Sequence, residues 1–144
     1  MRKTLQQRKE SGFTIIEVLI VLAIAGLIML IVFLAVPTLQ RNARNNARNS
    51  EASRISALIT DCLANRNGVT ASCQSDANTG YTAGDFQQLT ALTYGAGAGS
   101  TTAATVQYAV KCNVDGSGTA AGSARDFAVR YVREPAIARC IGSQ

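Results

Sequence analysis

Four features of this chain invite a chemical reading: a carboxylate inside an apolar run, four cysteines, a row of arginines and two glycine-rich loops. Glu17 is the single charge between Phe13 and Val36. A charge at the centre of a membrane span costs ~2.5–3.5 kcal/mol, and less near its end. Such a group either snorkels to headgroups and water or meets an opposite charge. Cys62, Cys73, Cys112 and Cys140 all lie beyond the apolar run. An even number in a small exported head points to two disulfides. Zinc is disfavoured, because spacings of 11, 39 and 28 with no CxxC and no histidine lack the short ligand spacing of such sites. The missing histidine also removes the commonest general base and every histidine triad. Arg41, Arg44, Arg48 and Arg54 follow the run. Lacking aromatic platforms, they read as a solvated or headgroup-facing surface and support DNA binding only weakly. Gly95–Ser100 and Asp115–Gly118 are flexible loops by composition. Neither has the lysine and helix of a phosphate cradle, and Asp115 begins no calcium-loop pattern.

The elements that carry these groups follow from periodicity. The chain has 144 residues, enough for one domain with a modest core. Val18 to Val36 is a run of 19 residues, apolar except for Gly26. At about 1.5 Å per residue it is long enough to cross a hydrocarbon core of ~30 Å. A cleaved secretory signal would have a shorter apolar region ending at a small-residue site. Here Pro37-Thr38-Leu39-Gln40 follows instead, so an anchor is the better reading. Basic residues on both flanks leave only a slight lean towards a cytoplasmic N-terminus. Four of the 14 basic residues and one of the nine acids precede Phe13, so the remainder carries a formal +2 against +5 for the whole chain. That balance suits solubility and export more than a nucleic-acid site.

Beyond Pro37, Ala43, Ala47, Ile55, Leu58, Ile59, Cys62 and Leu63 recur at threes and fours, which predicts a continuing amphipathic helix, weakly apolar before Ser50 and strongly so from Ile55. Asn67-Gly68 is its stop signal. Pro37 lacks the backbone N–H of a helix interior and should kink or open the rod there. Strands are expected where apolar residues alternate: Val106 to Cys112, Phe127 to Tyr131, Ala136 to Ile141, and with less definition Phe86 to Tyr94. The fold class is therefore α+β, a long N-terminal helix packed on a small antiparallel sheet.

Ser11-Gly12-Phe13-Thr14-Ile15-Ile16-Glu17-Val18-Leu19-Ile20-Val21-Leu22-Ala23-Ile24-Ala25-Gly26 resembles the N-terminal signature of type IV pilins and pseudopilins. The resemblance spans roughly Met1 to Leu39. It joins a basic leader, a Gly-Phe junction, a glutamate at fixed offset and a bilayer-length run. It implies a leader, residues 1–12, cut after Gly12 by a prepilin peptidase that also N-methylates Phe13. It further implies a filament-core helix over 13–36, an amphipathic continuation over 37–67 and a glycine-rich head over 68–144. In the family, the glutamate matching Glu17 meets the N-terminal amine of a neighbouring subunit, here that of Phe13. Two groups that are costly in lipid would thus satisfy each other.

The implied partners are other pilin subunits, the peptidase, the pilus assembly platform and motor machinery, and the membrane before assembly. The implied location is the cytoplasmic membrane first and an extracellular filament afterwards, serving adhesion, twitching motility or DNA uptake. No cofactor or metal is implied, and the role is structural rather than enzymatic. Many members have their proline closer behind the glycine matching Gly26; here Pro37 follows it by 11 residues. The head resembles pilin heads through its C-terminal cysteine-bracketed region. That likeness implies a Cys112–Cys140 bond, with Cys62 and Cys73 as the other pair. By count alone four cysteines allow three pairings. Two other readings share these residues: a pseudopilin of a secretion machine, for which Asp115, Asp126 and Glu134 make no recognisable calcium site, and a membrane-anchored binding module.

Overall fold

A computed structural model describes residues 12–144; the leader expected over 1–12 therefore falls, but for Gly12, outside the described residues. Helix α1 runs Ile15–Asn65 and contains Pro37. Two compact units divide the chain after Leu39. In the first, every residue from Phe13 to Leu39 is exposed. It is an apolar helix with no core of its own.

The second unit, Gln40–Gln144, is built on the rest of α1. Its buried residues are Asn45, Arg48, Glu51, Ala52, Ile55, Ile59, Cys62 and Leu63. These recur at threes and fours, so polar and apolar side chains share one stripe of the helix. This corrects the expected face. Ala43 is exposed and Ala47 only partly buried; Asn45 and Arg48 take the inward positions because they find hydrogen-bonding partners there. The helix ends where Asn67 and Gly68 adopt positive φ, and the Gly68 N–H returns to the Leu63 carbonyl at 2.7 Å. A residue with a Cβ resists that backbone turn, so glycine is the economical choice.

After a 3-10 turn (Thr70–Cys73), a short helix α2 (Asp76–Thr79) and a second 3-10 turn (Ala83–Asp85) come six strands: β1 Ala91–Tyr94, β2 Ala103–Tyr108, β3 Val110–Cys112, β4 Thr119–Ala121, β5 Phe127–Arg133 and β6 Ile137–Gly142. The main sheet has the order β1-β2-β5-β6; β3 and β4 form a separate hairpin. Its inner face packs on α1 through Ala104, Val106, Phe127, Val129 and Tyr131, with Tyr81, Phe86 and Leu89 closing the core. On the outer face Ala128, Cys112 and Cys140 make a smaller cluster against Val110.

The α+β arrangement is the one expected, a long helix with a small, mostly antiparallel sheet, and two strand expectations need correction. β2–β5 and β5–β6 are antiparallel, whereas β1 and β2 run parallel, with Ala91 opposite Ala103. The glycine-rich run 95–100, expected to be a flexible loop, belongs to the short crossover this needs. Gln107 Nε2 and Arg130 Nη1 both donate to the Gly97 carbonyl, at 2.9 and 3.0 Å, and a Cβ at Gly99 would collide with the Arg130 carbonyl. The run from Val106 to Cys112 is two strands, since Ala109 takes φ 59° and turns the chain out of the sheet. Phe86 to Leu89 is not strand either. Its backbone is satisfied by a side chain instead: the Glu51 carboxylate accepts N–H bonds from Gln87, Gln88 and Leu89 at 2.7–3.2 Å.

Candidate functional site

The N-terminus of α1 carries the residues singled out from sequence. Gly12 and Phe13 are exposed and precede the helix, and Phe13 retains 89% of its surface. Thr14 occupies the cap position before Ile15. Its hydroxyl and its N–H both donate to Glu17 Oε2, at 2.7 and 2.9 Å, while the Glu17 N–H lies 3.4 Å from the Thr14 hydroxyl oxygen. This is a reciprocal capping box. It satisfies helix-end donors that hydrocarbon would leave unpaired, and it holds the carboxylate back towards the chain start. A negative charge there also complements the helix dipole. Phe13 and Glu17 flank a shallow hollow with Val18, Val21 and Leu22. Thr14 was missed from sequence as a participant. The signal was present, since Thr14-Ile15-Ile16-Glu17 has the capping-box spacing just before an apolar run.

The cysteines are brought together in two pairs, Cys62–Cys73 and Cys112–Cys140. The first ties the end of α1 to the following 3-10 turn. The second ties the β3–β4 hairpin to β6, beside backbone bonds from the Cys112 N–H to Ser143 and from the Cys140 N–H to Gly116. The acids of the C-terminal region stay apart. Asp115 accepts from Ser117, Asp126 from Ser123 and Glu134 from arginines; among the described residues no cluster of three potential metal ligands forms.

The arginine row divides by role. Arg44 Nη2 and Arg48 Nη2 donate to the two Glu134 oxygens at 2.8 and 3.0 Å. These two guanidiniums, Arg44 first, hold the Glu134 carboxyl down to about 2. Arg48 also donates to the Thr101 carbonyl. Asn45 bridges to the main chain of Glu134 in both directions, at 2.9 Å each. Arg54 lies over the Phe86 ring, 4.8 Å from its centre. Arg48 is 4% exposed, so a fully solvated face is not what this stretch provides. It is a polar dock fastening helix to sheet, and Glu134, Asn45 and Glu51 are its members that periodicity could not reveal.

Among known proteins, a family model for the prokaryotic N-terminal methylation motif matches residues 7–33. No curated protein and no solved structure matches the chain. The motif spans the Gly12–Phe13 junction, Thr14, Glu17 and most of the apolar run, the same residues that the capping box and the exposed helix bring into register. An N-terminal apolar helix of this kind fits membrane localisation. The chain carries a type IV pilin/pseudopilin-type N-terminal signal.

Proposed function

We propose that the chain is a structural subunit of a type IV pilus, stored in the membrane and assembled through its N-terminal helix into a surface filament. The observation that carries this reading is the pairing of the methylation motif with a first stretch of helix, up to Leu39, whose apolar residues are all exposed. Phe13 to Leu39 finds no cover within its own unit. In water such a surface is untenable, so it requires lipid or the same surface of other subunits. The second unit folds around its own core and needs neither.

Cleavage after Gly12 would turn the Phe13 N–H into an ammonium group next to the capping box. An ammonium of one subunit and the Glu17 carboxylate of another then neutralise each other as the polymer grows, which sets register more than net stability. The partners would be copies of this chain, the prepilin peptidase and the assembly machinery. The head would supply the filament surface, with no chemistry of its own. The test is mass spectrometry of filaments sheared from cells. This chain should be abundant there, beginning at N-methylated Phe13. A mature chain starting at Met1, or a processed chain confined to the envelope of cells whose filaments lack it, would overturn the reading; the second outcome would assign it to a secretion machine.

A further inference from the structure

Where β1 and β2 end, the second unit has a cleft of about 350 Å³. Its walls are Tyr94 at the end of β1, Gln107 and Tyr108 at the end of β2, and Gln74 just after the first 3-10 turn. Gly95 and Ala96, both exposed, line its mouth. All of these residues belong to the second unit, so the cleft is a property of the folded head alone. Its volume lies near the lower end of the roughly 300–1,000 Å³ typical of small-molecule sites.

Both tyrosines are partly buried against the main core, and their hydroxyls are already committed. The Tyr94 hydroxyl donates to Asp76 Oδ1 at 3.0 Å and shares a bond with the Thr79 hydroxyl at 3.0 Å. The Tyr108 hydroxyl donates to the Cys73 carbonyl, and Cys73 is itself tied to Cys62. These bonds fix the two rings, so a ligand would meet them as preset apolar walls. Burial raises both phenols, Tyr108 to about 12, and neither carries charge near neutral pH. The polar groups on offer are amides. Gln107 Nε2 donates to the Gly97 carbonyl at 2.9 Å, which leaves its Oε1 as an acceptor. Gln74 is exposed and brings an amide that both donates and accepts. No charged side chain is among the residues that line the cleft.

Aromatic walls, neutral amides and the absence of charge match one ligand chemistry. The C–H groups on one side of a sugar ring are slightly electropositive and pack on the negative face of an aromatic ring. Its hydroxyls pair with groups that donate and accept. We propose that this cleft binds a neutral pyranose. Phosphates, nucleotides and acidic sugars fit poorly, because their charge would enter with no counter-charge to meet it. A wholly apolar ligand would leave the amides facing it unpaired. The site goes beyond the filament reading and does not depend on it.

The full chain is held in micelles of a detergent without a sugar headgroup. Methyl glycosides of glucose, galactose, mannose, N-acetylglucosamine and N-acetylgalactosamine are titrated by saturation-transfer NMR. At least one should bind with a Kd of about 1 mM, the range expected of so small a polar ligand. High salt should leave that affinity unchanged, since neither partner is charged. Tyr94→Leu should weaken binding about tenfold, whereas Tyr94→Phe, which keeps the ring, should keep most of it. Gln74→Ala should weaken it several-fold with head unfolding unchanged, and Ala96→Trp, at the exposed mouth, should block it. If Tyr94→Leu does not fold, the last two variants decide. Retention of the chain on beads carrying the bound sugar through its anomeric oxygen would support the cleft as a site for glycan ends. Binding in solution without retention would support it as a site for free sugar. No saturation transfer from the folded wild-type chain to any of these glycosides would overturn the proposal. So would binding that Gln74→Ala and Ala96→Trp leave unchanged, or an affinity that falls steeply with salt.

Discussion

The two units of this chain solve the same problem in opposite ways. From Phe13 to Leu39 the helix is apolar on every side and wholly exposed, so its stability depends on what surrounds it. From Gln40 onward the same helix is two-faced and closes its own core. A helix apolar all round belongs in lipid or in a protein interior, whereas one with a single inward stripe belongs on a sheet. Composition thus marks where self-sufficiency ends. Within the second unit there is a further contrast. Residues 45–51 dock through Asn45, Arg48 and Glu51, and residues 52–63 through alanine, isoleucine, cysteine and leucine. The polar part supplies directional contacts with Glu134 and with the loop before β1; the apolar part supplies most of the burial.

The largest effect expected from breaking this contrast is at Ile59, which is fully buried. Ile59→Ala should destabilise the head by about 2–5 kcal/mol. Thermal unfolding of the full chain in detergent, followed by near-ultraviolet circular dichroism of the tyrosines, should shift down by about 10 °C or more. The same substitution should leave the apolar helix of the first unit unaffected, as protease protection in membranes would report, which separates the two units.

Removing the Cys112–Cys140 bond with paired serines should cost about 2–5 kcal/mol. The loss should be local at first. Hydrogen exchange should rise in β3, β4 and β6, while the α1 amides near Ile55 keep their protection. Equal loosening of both regions would mean that the outer cluster and the main core are one cooperative unit.

The polar dock should contribute less. Arg48→Met removes bonds to Thr101, Asn45 and Glu134 and should cost about 1–3 kcal/mol. The dock should also respond to acid. Glu134 titrates near 2 when folded, against an ordinary value of 4.5. The group's folded value is depressed, so its contribution is complete above about pH 4.5 and disappears as pH falls towards 2. Glu134→Gln should flatten the stability profile in that window. The smallest effect is expected at Leu30, an exposed leucine of the first unit. Leu30→Ala should leave head unfolding unchanged to within ~0.5 kcal/mol, although the same change in the core would be severe.

Legibility from sequence followed the same division. The apolar run, the strong half of the amphipathic helix, the stop at Asn67-Gly68 and β5 were readable because each is a local pattern. The parallel β1–β2 pair was not, because the loop joining them is held through the Gly97 carbonyl by Gln107 of β2 and by Arg130 of β5, the latter 33 residues away. Phe86 to Leu89 looked like strand because its composition says nothing about Glu51, whose carboxylate replaces a strand neighbour. Arg44 and Arg48 looked solvent-facing since charge was read as exposure; their partner, Glu134, comes nearly ninety residues later. At the candidate site the motif around the Gly12–Phe13 junction and Glu17 was legible as a motif, and the capping role of Thr14 could have been.

In the proposed filament Glu17 is an assembly contact and not merely a marker of the membrane edge. The direct measurement is to express Glu17→Ala as the only copy of the chain and compare the membrane pool with filaments sheared from the cell surface. Loss of the carboxylate removes the capping-box acceptor and, in a polymer, would leave the Phe13 ammonium of a neighbour unpaired in an apolar core. The expected result is a processed chain with a folded, disulfide-bonded head in the membrane, and few or no filaments. Filaments in normal yield from Glu17→Ala cells would contradict it.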